Sequence, residues 1–311
     1  MQWKKLGLVY KSEEQAQQGT WNSSHGMIPT PLTMENGVVR VFTTFCDESG
    51  ISRPGYVDLD ENNLTKVIKV SNAPLLDIGV DGTFDENGVL TCSVVRVNDE
   101  LYMYYAGFEL GTKVRYRLLT GLAISRDGGE SFERVQKIPV LERSSKELHF
   151  RCGPFVIYEN NKFRMWYVGG SDWITVNGKP MPVYNVRYVE SADGINWPDE
   201  GEVVLDITSE DEHGFGRPYV FFDENKKCYK MYYSVRRKSV HAYRLGYAES
   251  TDGINWERKD EELNLDVSET GFDSDAIMYS AHFNIKEKNY LFYNGNNFGL
   301  DGFALAEMSD V

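Results

Sequence analysis

Apolar positions along the chain gather in short runs. Five segments share one pattern of aromatic, aliphatic and small residues: Val39–Phe45 (VRVFTTF), Leu101–Gly107 (LYMYYAG), Phe163–Gly169 (FRMWYVG), Tyr229–Val235 (YKMYYSV) and Tyr290–Gly295 (YLFYNG). With Val41, Met103, Met165, Met231 and Phe292 taken as equivalent, the steps are 62, 62, 66 and 61 residues. A fixed period of this length predicts a repeated supersecondary unit. Each segment follows another apolar run across a tight turn, such as Glu35-Asn36-Gly37, Asn98-Asp99-Glu100 or Glu159-Asn160-Asn161. Asn, Asp and Gly tolerate positive φ there and close hairpins. No segment sustains a 3.6-residue apolar period, so the elements are strands.

A second phrase recurs later in the unit, at Leu122–Phe132, Tyr188–Trp197 and Tyr247–Trp256. Each reads as a strand, a Ser-x-Asp-Gly turn at Asp127, Asp193 or Asp252, and an aromatic that begins the next strand. A turn aspartate folding onto nearby backbone N–H groups explains the Asp better than a ligand role does. The chain closes with half of this phrase, Phe303–Ala306, and opens with Trp3–Val9, which reads as the other half. The predicted fold is all-β: a five-bladed β-propeller with about four antiparallel strands per blade. Residues 1–311 form one domain, and the N-terminal strand closes the ring in the last blade.

Composition narrows the partners. Hydrophobic residues at 41% and charged residues at 26% fit a globular chain, and 13% aromatics fit a β-rich fold or a sugar-binding surface. A net charge of −14 repels nucleic acid and anionic membrane, so neither is expected as a partner. Cys46, Cys92, Cys152 and Cys228 show no CxxC spacing, and the first residues form no apolar leader. The expectation is a cytoplasmic protein.

In a propeller the first strand of each blade lines the central channel. Counting along the repeat puts His25, Asn87, His149, His213 and Asp275 at one level, with steps of 62, 62, 64 and 62. Three of the chain's five histidines fall there. His25, His149 and His213, with Asp275, could hold a divalent metal ion. They could equally cage a phosphate or a sugar, or form a hydrogen-bonded plug. Arg151 and Arg217 offer fork donors to a carboxylate or phosphate. Asp85, Glu147 and Asp273 lie in the loops leading into the first strands, Arg236-Arg237-Lys238 is a basic run, and Trp173 and Tyr184 are loop aromatics that could stack on a sugar.

The five-unit ring, the Ala-Glu-Ser-x-Asp-Gly-x-x-Trp phrase and the Met-Tyr-Tyr or Met-Trp-Tyr strands resemble the five-bladed glycosidase superfamily. That group includes family-43 arabinanases and xylosidases, invertases, levansucrases and mannoside phosphorylases. The resemblance covers essentially the whole chain and suggests a bacterial branch linked to polysaccharide biosynthesis. It implies a site at the axis built from carboxylates on the first strands. This chain departs from the pattern in blade 1, where Trp21–Pro29 carries no acid.

The implied activity is that of a carbohydrate-active enzyme on a glycoside or activated small sugar. In a hydrolase, Glu147 protonates the leaving oxygen while Asp85 or Asp275 activates water. In a phosphorolytic version, Arg151, Arg217 and the histidines hold phosphate; in a third, a His-bound metal acts as Lewis acid. Asn87, Asp273, Trp173 and Tyr184 complete the expected substrate contacts. The expected ligand is a small sugar, a sugar phosphate or a nucleotide sugar. A non-catalytic sugar-binding propeller is the alternative.

Overall fold

The structure, a computed structural model, describes residues 1–16 and 19–309. Strand β1 (Trp3–Lys11) opens the chain. A first antiparallel meander follows: β2 (Ser24–Thr33), β3 (Val38–Cys46), β4 (Ser52–Asp60) and β5 (Asn63–Val70). The second holds β6 (Val89–Val97), β7 (Glu100–Leu110), β8 (Tyr116–Ser125) and the short β9 (Glu133–Arg134). The third is β10 (Phe150–Glu159), β11 (Lys162–Val176), β12 (Lys179–Ser191) and β13 (Glu202–Leu205). The fourth is β14 (Glu212–Asp223), β15 (Cys228–Arg237), β16 (Ala242–Ser250) and β17 (Glu257–Arg258). The last is β18 (Met278–Ile285), β19 (Lys288–Asn294) and β20 (Gly302–Met308). Its outer position is filled by β1, with Trp3 opposite Met308, Lys5 opposite Ala306 and Tyr10 opposite Phe303.

Hydrogen bonding does not yield five separate sheets, nor one closed ladder. It forms two four-stranded sheets and one twelve-stranded sheet. Meanders two, three and four are joined by short parallel bridges, Phe150 with Leu118 and Arg151 with Leu119, then Tyr184 with Gly214. The second bridge needs glycine: a Cβ on Gly214 would meet the Tyr184 ring at 2.8 Å. Elsewhere the meanders meet through side chains. The first strands pack in sequence, β2 on β6, β6 on β10, β10 on β14 and β14 on β18, and β18 returns to β2.

This packing explains the aromatic repeat. The second strand of each meander is covered on both faces, so it reads as a continuous apolar run. Met103, Tyr104, Tyr105, Met165, Trp166, Tyr167, Met231, Tyr232 and Tyr233 are all fully buried. The Asp-Gly turns latch onto the second strand of the preceding meander. Arg40 Nη1 donates to Gly129 O at 3.2 Å, the Tyr104 hydroxyl to Gly194 O at 2.9 Å, and Trp166 Nε1 to Gly253 O at 2.8 Å. The turn aspartates play the backbone role expected of them: Asp193 Oδ1 accepts the N–H groups of Ile195 and Asn196 at 2.9 and 2.8 Å. Among the described residues no helix is long and apolar enough to cross a membrane.

Candidate functional site

Four acids in the loops before the first strands form one repeated structural feature. Asp85 accepts from the Tyr105 hydroxyl at 3.0 Å and Arg134 Nε at 2.8 Å. Glu147 accepts from the Tyr167 hydroxyl at 2.6 Å and Gly201 N at 2.8 Å, and pairs with Arg151 at 2.8 Å and Arg187 at 3.2 Å. Glu212 pairs with Arg258 at 2.7 Å, and Asp273 with Lys5 at 2.7 Å and the Tyr293 hydroxyl at 3.2 Å. The acids are spaced by 62, 65 and 61 residues, the period of the strands. Each ties a loop to a cation on a later strand of its own sheet, and each is buried. Asp85 and Glu147, expected as acid and base, and Asp273, expected as a sugar ligand, are each engaged in an ion pair and buried. The missed signal was regular: the arginine partners follow their acids by 49, 40 and 46 residues.

The two arginines expected to grip an anion are also committed elsewhere. Arg151, 1% exposed, pairs with Glu147 and donates to Glu142 O at 2.8 Å and Pro198 O at 3.0 Å. Arg217, 2% exposed, sits where the first strands converge. It donates to Pro29 O at 3.1 Å, Cys92 O at 3.1 Å, Tyr279 O and Ser280 O at 3.3 Å, and Thr30 Oγ1 at 2.8 Å. Those acceptors lie on β2, β6 and β18, and a Cβ on Gly153 of β10 would stand 3.7 Å from the Arg217 backbone. Each first strand breaks its ladder register at this level, which turns carbonyls toward the guanidinium. Burial without a carboxylate pulls the Arg217 pKa down to about 10. Arg217 plugs the axis.

The histidine register gives a common height but no common target. His25 Nδ1 bonds Ser24 Oγ at 2.8 Å. The His149 ring lies 6.4 Å from Trp173 and 6.2 Å from Phe150, and His213 Nδ1 meets Pro182 O at 3.2 Å. Burial lowers the pKa of all three. Among the described residues no three His, Cys, Asp or Glu side chains are grouped to hold an ion, and His25, His149 and His213 each have different neighbours. The reason is local backbone: His25 has φ +66°, and Asn87 turns inward to cap its own hairpin, accepting Leu110 N at 3.0 Å.

Trp173 and Tyr184 do come together. The long β11–β12 hairpin carries both, on the face where the first strands begin. Trp173 stands 5.4 Å from Tyr116 and 5.4 Å from Phe150, and Phe150 stands 5.5 Å from Tyr184. The Tyr184 and Tyr243 hydroxyls are 2.8 Å apart, and Tyr243 lies 5.7 Å from Tyr279. Arg236, opposite Tyr243 on β15, sits over that ring at 4.4 Å and over Phe298 at 5.7 Å. Sequence reasoning missed Tyr116, Tyr243, Tyr279 and Phe298, although hairpins between second and third strands share this face. Polar groups here lack partners: Trp173 Nε1 and His149 Nδ1 are buried and unbonded, and the exposed Asp275 engages neighbours only through its backbone. A separate cleft of about 850 Å³, formed by the fourth meander and the segment that follows it, is lined by the ion pairs Arg258–Glu212 and Arg244–Asp266 and by Arg237, whose buried Nε has no partner.

A family profile described as the glycosyl hydrolases family 32 N-terminal domain matches residues 75–205, the second and third meanders. The uncharacterized proteins Rv1502 and MT1551, from two strains of Mycobacterium tuberculosis, are each 30% identical over 310 residues, covering 100% of both chains. The chain belongs to one family with these two proteins. Solved glycoside hydrolases share its fold. A glycoside hydrolase superposes with a TM-score of 0.76 at 18% identity, covering 99% of this chain and 92% of that one. A thermostable family-43 glycoside hydrolase gives 0.69 at 15% identity, covering 97% and 93%. A variant of the Bombyx mori family-32 β-fructofuranosidase, in complex with sucrose, gives 0.61 at 18% identity, covering 92% and 61%.

Proposed function

We propose that this protein acts on a glycoside or an activated small sugar bound at the face where the first strands begin. The observation that carries the reading is the aromatic wall of Trp173, Tyr116, Phe150, Tyr184 and Tyr243, interspersed with unpartnered polar groups. Aromatic planes stack on the apolar faces of sugar rings, and stray donors and acceptors meet hydroxyls. Asp275 is an exposed carboxylate of this face and serves as the acid–base or water-activating group. On this reading the five meanders are the blades of one propeller domain spanning residues 1–311, which the cyclic packing of first strands around Arg217 supports. The reaction belongs to the cytoplasm, consistent with four thiols lacking paired spacing.

The test is a panel of nitrophenyl glycosides, sugar phosphates and nucleotide sugars, with Asp275→Asn and Trp173→Ala as variants. Asp275→Asn should cut turnover by about 100-fold or more, the usual scale of acid–base catalysis, at an unchanged melting temperature. Trp173→Ala should raise KM. A second reading is sugar binding without catalysis, favoured by the burial of Asp85 and Glu147 in ion pairs. Saturable binding without turnover of any panel member would select it.

A further inference from the structure

Five arginines among the described residues are more than nine-tenths buried, and four have oxygen acceptors. Arg40 forks onto Asp58 at 2.8 and 2.9 Å, Arg151 pairs with Glu147, Arg164 pairs with Glu159 at 2.8 Å, and Arg217 is ringed by carbonyls. Arg236, 8% exposed, is the exception. Among the described residues it has no carboxylate and no carbonyl within hydrogen-bond reach, only the faces of Tyr243 and Phe298. A largely buried guanidinium given only ring faces recovers less by cation–π contact than its partial desolvation costs, while its nitrogens are not sealed from an incoming ligand. An arrangement of this kind is completed by an anion.

We propose that Arg236 anchors a phosphoryl group carried by the sugar, so that the substrate class of this face is a phosphorylated sugar. The inference rests on the proposed reading of the face as the sugar site. The groups surrounding Arg236 favour a phosphoryl group over a carboxylate. The Tyr243 ring lies beneath the guanidinium, and its hydroxyl is 2.8 Å from that of Tyr184, so phenol groups line the region beside the fork. One fork saturates the two oxygens of a carboxylate, whereas a terminal phosphoryl group has three oxygens and uses additional donors. The Tyr184–Tyr243 hydrogen bond leaves one of those two protons free to donate onward. Trp173, reached through Phe150 along the same wall, then covers the sugar ring.

The test titrates the full-length protein with inorganic phosphate, pyrophosphate and sodium acetate by calorimetry and tryptophan fluorescence. Phosphate or pyrophosphate should bind more tightly than acetate, and Arg236→Met should weaken that binding at least tenfold. Arg236→Lys, which keeps the charge and the fold but loses the fork, should weaken it at least threefold and serves if the methionine variant does not fold. Binding that is absent, unchanged in both variants, or tighter for acetate overturns the proposal. A hexose 1-phosphate and a nucleoside diphosphate hexose then distinguish the two sources of the phosphoryl group. Neutral nitrophenyl glycosides turned over equally by wild type and variants would leave the sugar reading standing and sink the anchor. Phosphate binding that depends on Arg236, with no sugar bound or turned over, would do the reverse.

Discussion

Replacing Arg217 should destabilise the protein without any selective effect on ligand binding. Its guanidinium serves Pro29 O, Cys92 O, Tyr279 O, Ser280 O and Thr30 Oγ1, acceptors that no other donor reaches from the axis. Arg217→Met keeps a side chain of similar length but leaves those acceptors dry. Counting only the three shorter contacts, at about 1–3 kcal/mol per unsatisfied buried group, the loss is about 3–9 kcal/mol. Burying the methionine returns about 1.5–3 kcal/mol, so the net cost is about 2–6 kcal/mol. Arg217→Ala opens a polar-lined space that water can enter, and ordered waters cost at most about 2 kcal/mol each, so this variant should be no less stable than the methionine one. Urea unfolding curves at pH 7 measure both, and for a chain of this size the melting temperature of Arg217→Met should fall by at least about 4 °C. A methionine variant as stable as wild type would refute the plug. So would one that keeps its stability and loses ligand affinity.

Three further outcomes follow from the geometry. Asp193→Ala should lower stability by about 1 kcal/mol, the scale of a lost local cap, and leave sugar binding unchanged. His282 is stacked on Phe221 at 3.8 Å and bonded to Asn289 at 2.9 Å, and burial pushes its pKa down to about 4. Between pH 6.5 and 4 the unfolded chain holds a proton that the native state refuses. Stability is therefore full above pH 6.5 and declines as pH falls toward 4, by at most about 3 kcal/mol, and His282→Gln should flatten that slope in urea titrations. Deleting residues 1–11 removes the partner of β20 and the buried Val9 and Tyr10, and should cost several kcal/mol or solubility itself, read by thermal melting and size-exclusion chromatography.

The repeat, the strand class and the pairing of the chain's ends were legible in the sequence because they are local and periodic. Aromatic second strands must be apolar on both faces, and Asp-Gly turns must close where the period says. Asp85, Glu147 and Asp273 were legible as acids of the loops leading into the first strands, but the cations that pair with them were not. Asp85 and Glu147 look like catalytic carboxylates until Arg134 and Arg187 are seen folded back onto them. The repeat put His25, His149 and His213 at equivalent positions, but the fold gives each different neighbours, and a positive φ turns His25.

Trp173 and Tyr184 were identifiable as loop aromatics, but Tyr243 and Tyr279 became their neighbours only when two further meanders closed beside them. Arg217 and Arg236 show the limit most clearly. They stand 19 residues apart in one repeat, and nothing in their local sequence separates a structural plug from an open cation. The difference lies in the acceptors. Those of Arg217 come from strands 62 to 188 residues away, brought to it by the convergence of first strands at the axis. Around Arg236 the fold brings ring faces and, among the described residues, no carboxylate or carbonyl within hydrogen-bond reach. Sequence determined which residues recur and which strands they build; only the tertiary structure decided which charges are neutralised from afar and which are left for a ligand.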